Sequence, residues 1–494
     1  MIRFDDVSFA YAERQDAGIR NVDLTIRHGE CVLLCGRSGC GKTTLTRLVN
    51  GLIPMFYAGT LTGSTTVDGT VVQELPMYEL ATRVGSVFQN PRSQFFNVDT
   101  DSEMAFGMEN LTYSRSYMKQ RIAQTVQALD MEELLGRSVF DLSGGEKQKV
   151  AFASIYAMNP DVYLLDEPSS NLDTDAIDEL RRILAVLKAE GKTILIAEHR
   201  IYYLRDLADR IVYMEDGAIS AVYTADAFAA LEAETRQRMG LRAYDLRSVA
   251  VRAQVQTAEE SVLDIKDLSL NWQKRCILDK VSLSAGAGEI IGIVGHNGAG
   301  KSTFSRTLCG LHANGSGEIY WRGQQVDAKE RLKLSYMVMQ DVGYQLFADT
   351  VEKECVFGIK HPNQEAADRA IHLLALDAYR LQHPNTLSGG QKQRLAVAVS
   401  VVCRKELLIF DEPTSGLDYD SMMQVVTILR MLAAMGKIIF VVTHDYEFLT
   451  AACSRVIHFD EGRLQEDYLL NEASVARLQA FFFASQEREK ETGG

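Results

Sequence analysis

No stretch of this 494-residue sequence approaches the roughly 18 consecutive apolar positions that a membrane-crossing helix needs. The longest apolar runs, such as VYLLD and IIFVVTH, have the length and β-branched content of buried strands. The opening residues MIRFDDVSF lack the basic region, apolar run and cleavage site of a secretory signal, so the chain is expected not to enter a membrane by itself. Positive charge is also in deficit. The 52 Lys and Arg face 66 Asp and Glu, a net charge of -14. That balance argues against nonspecific nucleic-acid binding, which relies on cations that displace counterions from phosphates. It argues equally against docking on anionic lipid through a polybasic patch. Finally, there is no CxxC pair. Cys31, Cys35, Cys40, Cys276, Cys309, Cys355, Cys403 and Cys453 are scattered among strand-like and helix-like segments. Reduced, mostly buried thiols on the cytosolic side are the expectation.

What the sequence has is a unit written twice. GRSGCGKTT (36–44) recurs as GHNGAGKST (295–303), and LSGGEKQKVA (142–151) as LSGGQKQRLA (387–396). LLDEPSSNLD (164–173) recurs as IFDEPTSGLD (409–418), and IAEH (196–199) as VVTH (441–444). The last three pairs share one sequence offset, while the glycine loops lie further apart, so the second half is shorter only between its glycine loop and LSGG. Two homologous domains follow, 1–225 and 260–470, joined by a linker at 226–259 rich in Ala, Glu and Arg. Residues 471–494 form a C-terminal tail that ends in the charged EREKETGG. Apolar β-rich runs alternate with helical segments in each half, which implies an α/β core with a mixed or largely parallel sheet.

Each glycine loop fits G-x-x-x-x-G-K-[ST], follows an apolar strand and precedes a helix-like run, as a phosphate cradle requires. Backbone N–H groups curl around phosphates, and the helix start adds partial positive charge. The nucleotide-binding candidates are therefore Gly36, Ser38, Gly39, Gly41, Lys42, Thr43 and Thr44 in the first loop. Their counterparts are Gly295, Asn297, Gly298, Gly300, Lys301, Ser302 and Thr303. Lys42 and Lys301 would reach the terminal phosphates, and Thr43 and Ser302 would set a hydroxyl on Mg²⁺. Two carboxylates end an apolar run in each half, at the edge where α/β sheets bind ligands. Asp166 and Asp411 are read as the Mg²⁺-side acids, and Glu167 and Glu412 as the groups that polarise an attacking water.

With LSGG added, both halves resemble the nucleotide-binding domains of ABC ATPases. That resemblance covers nearly the whole chain. It implies two ABC-type P-loop NTPase domains, each with a RecA-like α/β core, an antiparallel β subdomain and a helical signature subdomain. It implies ATP and Mg²⁺ as cofactors. Ser143, Gly144 and Gly145, like Ser388, Gly389 and Gly390, match the signature that caps the γ-phosphate held by the opposite domain. Tyr11 and Trp272 match the aromatic that stacks on adenine, and Gln89 and Gln340 the glutamine that contacts Mg²⁺ and the attacking water. His199 and His444 match the histidine at the γ-phosphate, and Asp173 and Asp418 the loop that communicates between sites. The family's head-to-tail pairing implies two composite sites within one chain. Lys42, Asp166, Glu167 and His199 would join Ser388, while Lys301, Asp411, Glu412 and His444 would join Ser143.

Three outputs compete for such a motor: transport, action on ribosomes, and DNA maintenance. The acidic chain lacks the long basic inter-domain arm of the ribosomal class, and the intervals Thr44–Ser143 and Thr303–Ser388 leave no room for the long coiled coils of the DNA class. A transporter motor is favoured. Tandem chains of this length also resemble sugar-importer ATPases, but QNPRSQFFNVDTDSEMAFGMEN (89–110) resembles the energy-coupling-factor (ECF) group, which includes cobalt and nickel importer motors. In the second half Gln340, Gln345, Phe347, Glu352, Phe357 and Gly358 are matched to the same pattern, whereas Asn-Pro and Glu-Asn are not kept. The resemblance implies a membrane coupling (T-type) subunit and a small substrate-binding membrane subunit as partners, with the chain peripheral at the cytoplasmic face of the plasma membrane. The cargo would be a vitamin or a transition-metal ion. Phe95, Phe96 and Phe347 are candidates to cover a partner helix, with Asp99, Asp101 and Glu103 pairing with its arginines. The alternative is that both phenylalanines pack within their own domain.

Overall fold

Fully apolar strands need cover on both faces, and parallel sheets supply it. CVLLCG (Cys31–Gly36) and TILIA (Thr193–Ala197) are buried at every position, and they pair in parallel at the centre of a six-stranded sheet. A computed structural model shows this arrangement. It describes residues 1–12, 14–88, 93–170, 172–252, 260–272, 275–312 and 315–492, excepting the side chains of 14–17 and 485–492. The chain forms two units, Met1–Leu246 with Asp418–Asp420, and Arg247–Leu417 with Ser421–Gly494.

In the first unit the sheet order is Ala218–Thr224, Arg210–Glu215, Cys31–Gly36, Thr193–Ala197, Val162–Asp166, Val84–Val87. Only the first two of these pair antiparallel, as a hairpin. Helix Thr174–Ala189 buries Ile177, Leu180, Ile183, Leu184 and Leu187, the three-and-four spacing of one helical face. A second, antiparallel sheet runs Arg14–Ile26, Ile2–Tyr11, Gly59–Val67, Thr70–Val71. Its register fixes Gly18, whose φ is 148° and where a Cβ would stand 1.8 Å from the Phe9 carbonyl. The helices Thr100–Asn110, Arg115–Ala128 and Gly144–Met158 make a third, all-helical part. Phe228, Leu241 and Tyr244, beyond the last hairpin, are buried in this unit's core.

The second unit repeats the plan. Its main sheet runs Ser335–Val338, Leu407–Asp411, Ile438–Val442, Ile290–Val294, Arg455–Asp460, Arg463–Leu469, and its antiparallel sheet is Arg275–Gly286, Ser261–Trp272, Ser316–Trp321, Gln324–Gln325. The shorter interval before LSGG falls partly on the helices. Thr100–Asn110 spans 11 residues but Val351–Val356 spans 6, and Arg115–Ala128 spans 14 against 10 for Gln364–Leu373. After the last hairpin, helix Val475–Thr492 buries Leu478, Phe482 and Phe483. Both units therefore have the α/β core, antiparallel sheet and helical part that the sequence implies. No helix among the described residues is long and apolar enough to cross a membrane.

Phe440 sits fully buried in the strand Ile438–Val442 and touches Phe304. Phe440→Ala is expected to cost roughly 3–5 kcal/mol, read as a lower urea midpoint for the second unit.

Candidate nucleotide sites

The first glycine loop leaves the strand Cys31–Gly36 through a turn that only glycine fits. Gly36 has φ 144°, and a Cβ there would meet the Met214 carbonyl at 2.2 Å. Gly41, at φ 104°, opens helix Lys42–Val49. Lys42 is only 5 % exposed. Its ammonium donates to the carbonyls of Gly36 (3.0 Å) and Arg37 (3.1 Å) and lies 3.4 Å from His199 Nε2. Lys301 repeats this, donating to the carbonyls of Gly295 (2.6 Å) and His296 (3.0 Å). Each lysine thus folds back over its own loop, where incoming phosphate oxygens would meet it.

The acids stand at the adjoining strand end. Thr43 Oγ1 donates to Asp166 Oδ1 at 3.1 Å. Burial, then the neighbouring Glu167 charge, pushes the Asp166 carboxyl up to about 6, against the pull of Thr43, Arg47 and Lys42. Glu167 turns away at φ 48° while its N–H donates to the Ala197 carbonyl at 2.8 Å. Burial acts to raise its carboxyl too, but His199, 3.3 Å away, and Lys42 bring it below the ordinary value. Two adjacent carboxylates are thus driven in opposite directions. In the second unit burial raises Asp411 against Arg306 and Lys301. Glu412 repeats the turn at φ 49°, with its N–H on the Val442 carbonyl and His444 Nε2 at 3.7 Å.

The donor set suits Mg²⁺. A hydroxyl and a carboxylate, both hard oxygens, already touch in the first unit, and magnesium takes one or two protein oxygens with phosphate and water completing its shell. Among the described residues no cluster of three or more His, Cys, Asp or Glu competes to hold a metal. Thr43 and Asp166, and likewise Ser302 and Asp411, are the residues that would hold it. The ion supplies charge neutralisation at the phosphates.

The aromatic positions differ between units. Tyr11 ends its strand with its hydroxyl 3.2 Å from Thr44 Oγ1 and accepting from Arg47 at 3.1 Å, which ties it to the glycine-loop helix. Trp272 ends the matching strand 59 % exposed, its ring 6.3 Å from that of His312. Gln89 lies outside the described residues. Gln340 is exposed just beyond the strand Ser335–Val338.

Each signature serine opens a helix. Ser143 caps Gly144–Met158 in a reciprocal box with Glu146, and Ser388 caps Gly389–Val402 with Gln391. Both hydroxyl oxygens accept from the helix, so their protons remain to be donated elsewhere. Ser143, Gly144, Ser388 and Gly389 are exposed, with Gly145 and Gly390 half-buried beside them.

The segment after Gln89 corrects three sequence expectations. Glu354, not Glu352, stands where Glu103 stands. Glu103 Oε2 accepts from the N–H groups of Phe96 (3.0 Å) and Asn97 (2.8 Å), and Glu354 Oε2 from Phe347 (2.8 Å) and Ala348 (2.6 Å). The spacing to the following Phe-Gly pair, the same in both halves, identifies Glu354, and Glu352 lies two residues too early. Glu103, buried, therefore holds its own loop rather than a partner's arginine. Asp99 caps helix Thr100–Asn110 through Ser102, and Asp101 accepts from Gly136. The phenylalanines split: Phe95 packs on the first unit's core, while Phe96 is 73 % exposed and stacks on Phe106 at 4.8 Å. Phe347, 69 % exposed, lies 6.3 Å from Phe357 in the same relation.

A protein-family model described as ABC transporter matches residues 19–170 and 278–415. This chain belongs to the ABC transporter family. As an ABC ATP-binding protein it is an ATPase that uses ATP with Mg²⁺. It is 46 % identical to a Treponema denticola protein that carries the name ABC transporter ATP-binding protein, over 94 % of this chain and 97 % of that one. It is 31 % identical to another from Enterococcus faecalis, over 98 % and 95 %. Among solved structures, an archaeal ABCE1, in a model of ribosome-bound Pelota and ABCE1, superposes with a TM-score of 0.67 at 20 % identity. That superposition spans 96 % of this chain and 80 % of the other, and at such identity it is a likeness of fold.

Two buried acids escaped the sequence reading of this ABC protein. Glu198 precedes His199 and Asp445 follows His444, and the only signal was that IAEH and VVTH differ before the histidine.

Two measurements test these assignments. Glu167→Gln and Glu412→Gln should each lower hydrolysis at its own site by on the order of tenfold or more while sparing ATP binding, and the two together should abolish turnover, checked by phosphate release and nucleotide titration. Asp166, with its raised carboxyl, costs the nucleotide-free fold stability as pH rises from 3.8 through about 6. Asp166→Asn should therefore stabilise that fold by about 3 kcal/mol above pH 7 and by nothing near pH 3, read from melting curves.

Proposed function

We propose that this ATPase is the motor subunit of an ECF-type importer, taking up a vitamin or a transition-metal ion through separate membrane subunits. The observation that carries the reading is the pair of exposed phenylalanines, Phe96 and Phe347, each beside a second ring on the next helix or at its end and each held by a buried glutamate. An exposed ring whose backbone is pinned is costly to leave in water and ready to be covered. Burial against a partner helix is worth roughly 1.5–3 kcal/mol per ring. The partners in this reading are a membrane coupling subunit, seated on these rings, and a small substrate-binding membrane subunit. The chain works at the cytoplasmic face of the plasma membrane and binds no nucleic acid.

Within the motor, two head-to-tail composite sites form intramolecularly. Lys42, Asp166, Glu167 and His199 work with Ser388, and Lys301, Asp411, Glu412 and His444 with Ser143. Lys42 and Lys301 neutralise the terminal phosphates, and Glu167 and Glu412 orient the attacking water. His199 and His444 hold the γ-phosphate, with Gln89 and Gln340 linking it to the docking segment. The alternative is the tandem motor of a sugar or peptide importer, which would use the same composite sites. The ABCE1 likeness raises ribosomes as another partner.

Phe96→Ala with Phe347→Ala should leave basal ATPase activity intact and abolish recovery of membrane subunits in a pulldown from solubilised membranes. Intact recovery would defeat the docking reading, and cosedimentation of the wild-type chain with ribosomes would replace it.

A further inference from the structure

We propose that Glu198 is a positioning residue of the first nucleotide site, locking the backbone of His199 to the segment that follows Glu167. The inference rests on the reading of Glu167 and His199 given above and extends it to a residue outside the family's motifs.

Glu198 leaves the buried strand Thr193–Ala197 with 2 % of its surface exposed. A carboxylate so placed needs donors on both oxygens, and it has them. Oε1 accepts from the N–H groups of His199 (2.7 Å) and Arg200 (3.1 Å), and Oε2 from the Ser169 N–H (3.2 Å) and the Tyr203 hydroxyl (2.9 Å). Arg200, itself buried, donates to the carbonyls of Ser169 (3.4 Å) and Leu172 (3.3 Å). The acid and the arginine on either side of His199 thus grip the loop between Glu167 and Asp173 from both ends. With the Glu167 N–H on the Ala197 carbonyl, the separation between the His199 ring and the Glu167 carboxylate is set by main chain anchored on each side.

The second unit does the same work with different groups. Thr443 stands in place of Glu198, and its hydroxyl donates to Glu412 Oε2 at 3.3 Å, as does the His444 N–H. The loop is held instead by Asp445, which accepts from Thr414 Oγ1 at 2.7 Å and from the Phe448 N–H at 3.1 Å. In the first unit the histidine N–H is directed at Glu198 rather than at the hydrolytic glutamate, and the ring stands 3.3 Å from that glutamate instead of 3.7 Å. Glu198 therefore carries geometry that a hydroxyl and an aspartate share in the other half.

The test reads the first site alone, in full-length protein carrying Glu412→Gln. Glu198→Gln keeps the shape but turns one acceptor into a donor facing Ser169 N–H. It should lower kcat about tenfold with KM for ATP within about twofold. Glu198→Thr should behave alike, and Glu198→Thr with Arg200→Asp, which installs the second unit's groups, should recover most of the lost kcat. The double variant also serves if Glu198→Gln does not fold. An unchanged kcat in Glu198→Gln, an equal loss of ATP affinity, or no recovery in a folded double variant would overturn the proposal. Glu167→Gln in the same background separates the two levels. If it leaves turnover unchanged, the site reading falls and this inference with it. If it abolishes turnover while Glu198→Gln is normal, only this inference falls.

Discussion

The main-chain bond from Glu167 to Ala197 is the constraint on which the site chemistry depends. A strand that ends in two acids would by default send them to opposite faces of the sheet. Here the left-handed backbone at Glu167, repeated at Glu412, breaks the alternation, and the bond to the neighbouring strand holds it broken. Asp166 is thereby left beside Thr43 and Glu167 beside His199. A non-glycine residue in that conformation is strained and persists only where its surroundings over-determine it. The surroundings here are a parallel sheet buried on both faces, which explains why the turn recurs in both units with nearly the same angle.

Much of this was legible in the sequence for a definite reason. Glycine loops, strand-end acids and LSGG are local patterns, and their elements are set by local rules of turn, strand and cap. The repetition then fixed the two-unit plan. What escaped was whatever depends on the third dimension. Glu198 is one more polar residue at a strand end in the sequence, yet it accepts four hydrogen bonds, two of them from Ser169 and Tyr203 in other turns. Glu354, by contrast, was within reach of the sequence, because it precedes Phe357 and Gly358 by the spacing that separates Glu103 from Phe106 and Gly107, and it bonds back to the Phe347 loop. Exposure of Phe95 and Phe96 was read as one property, although neighbouring side chains commonly point apart.

The two units also show how one design tolerates substitution. Glu146 and Gln391 close the same capping box, one charged and beside Arg137, the other neutral. Glu198 and Asp445 hold the same loop from positions two residues apart in their frames. In the capping box the hydrogen bond is kept while its acceptor changes charge, and in the loop the anchoring is kept through the Ser169 N–H in one unit and the Thr414 hydroxyl in the other. A backbone donor must be satisfied, but several side chains reach it.

The aromatic ends of Ile2–Tyr11 and Ser261–Trp272, which we propose stack on the nucleobase, differ in the same way. Tyr11 is held at its hydroxyl and boxed edge-on by Phe9 and Tyr57, so its ring has little rotational freedom left to lose. Trp272 offers a larger face from an exposed position. Fixing a side chain that is still mobile costs entropy, and a wider contact returns enthalpy. If each ring stacks on a base as proposed, two sites matched in affinity at one temperature would separate as it changes, the tryptophan side weakening faster on warming.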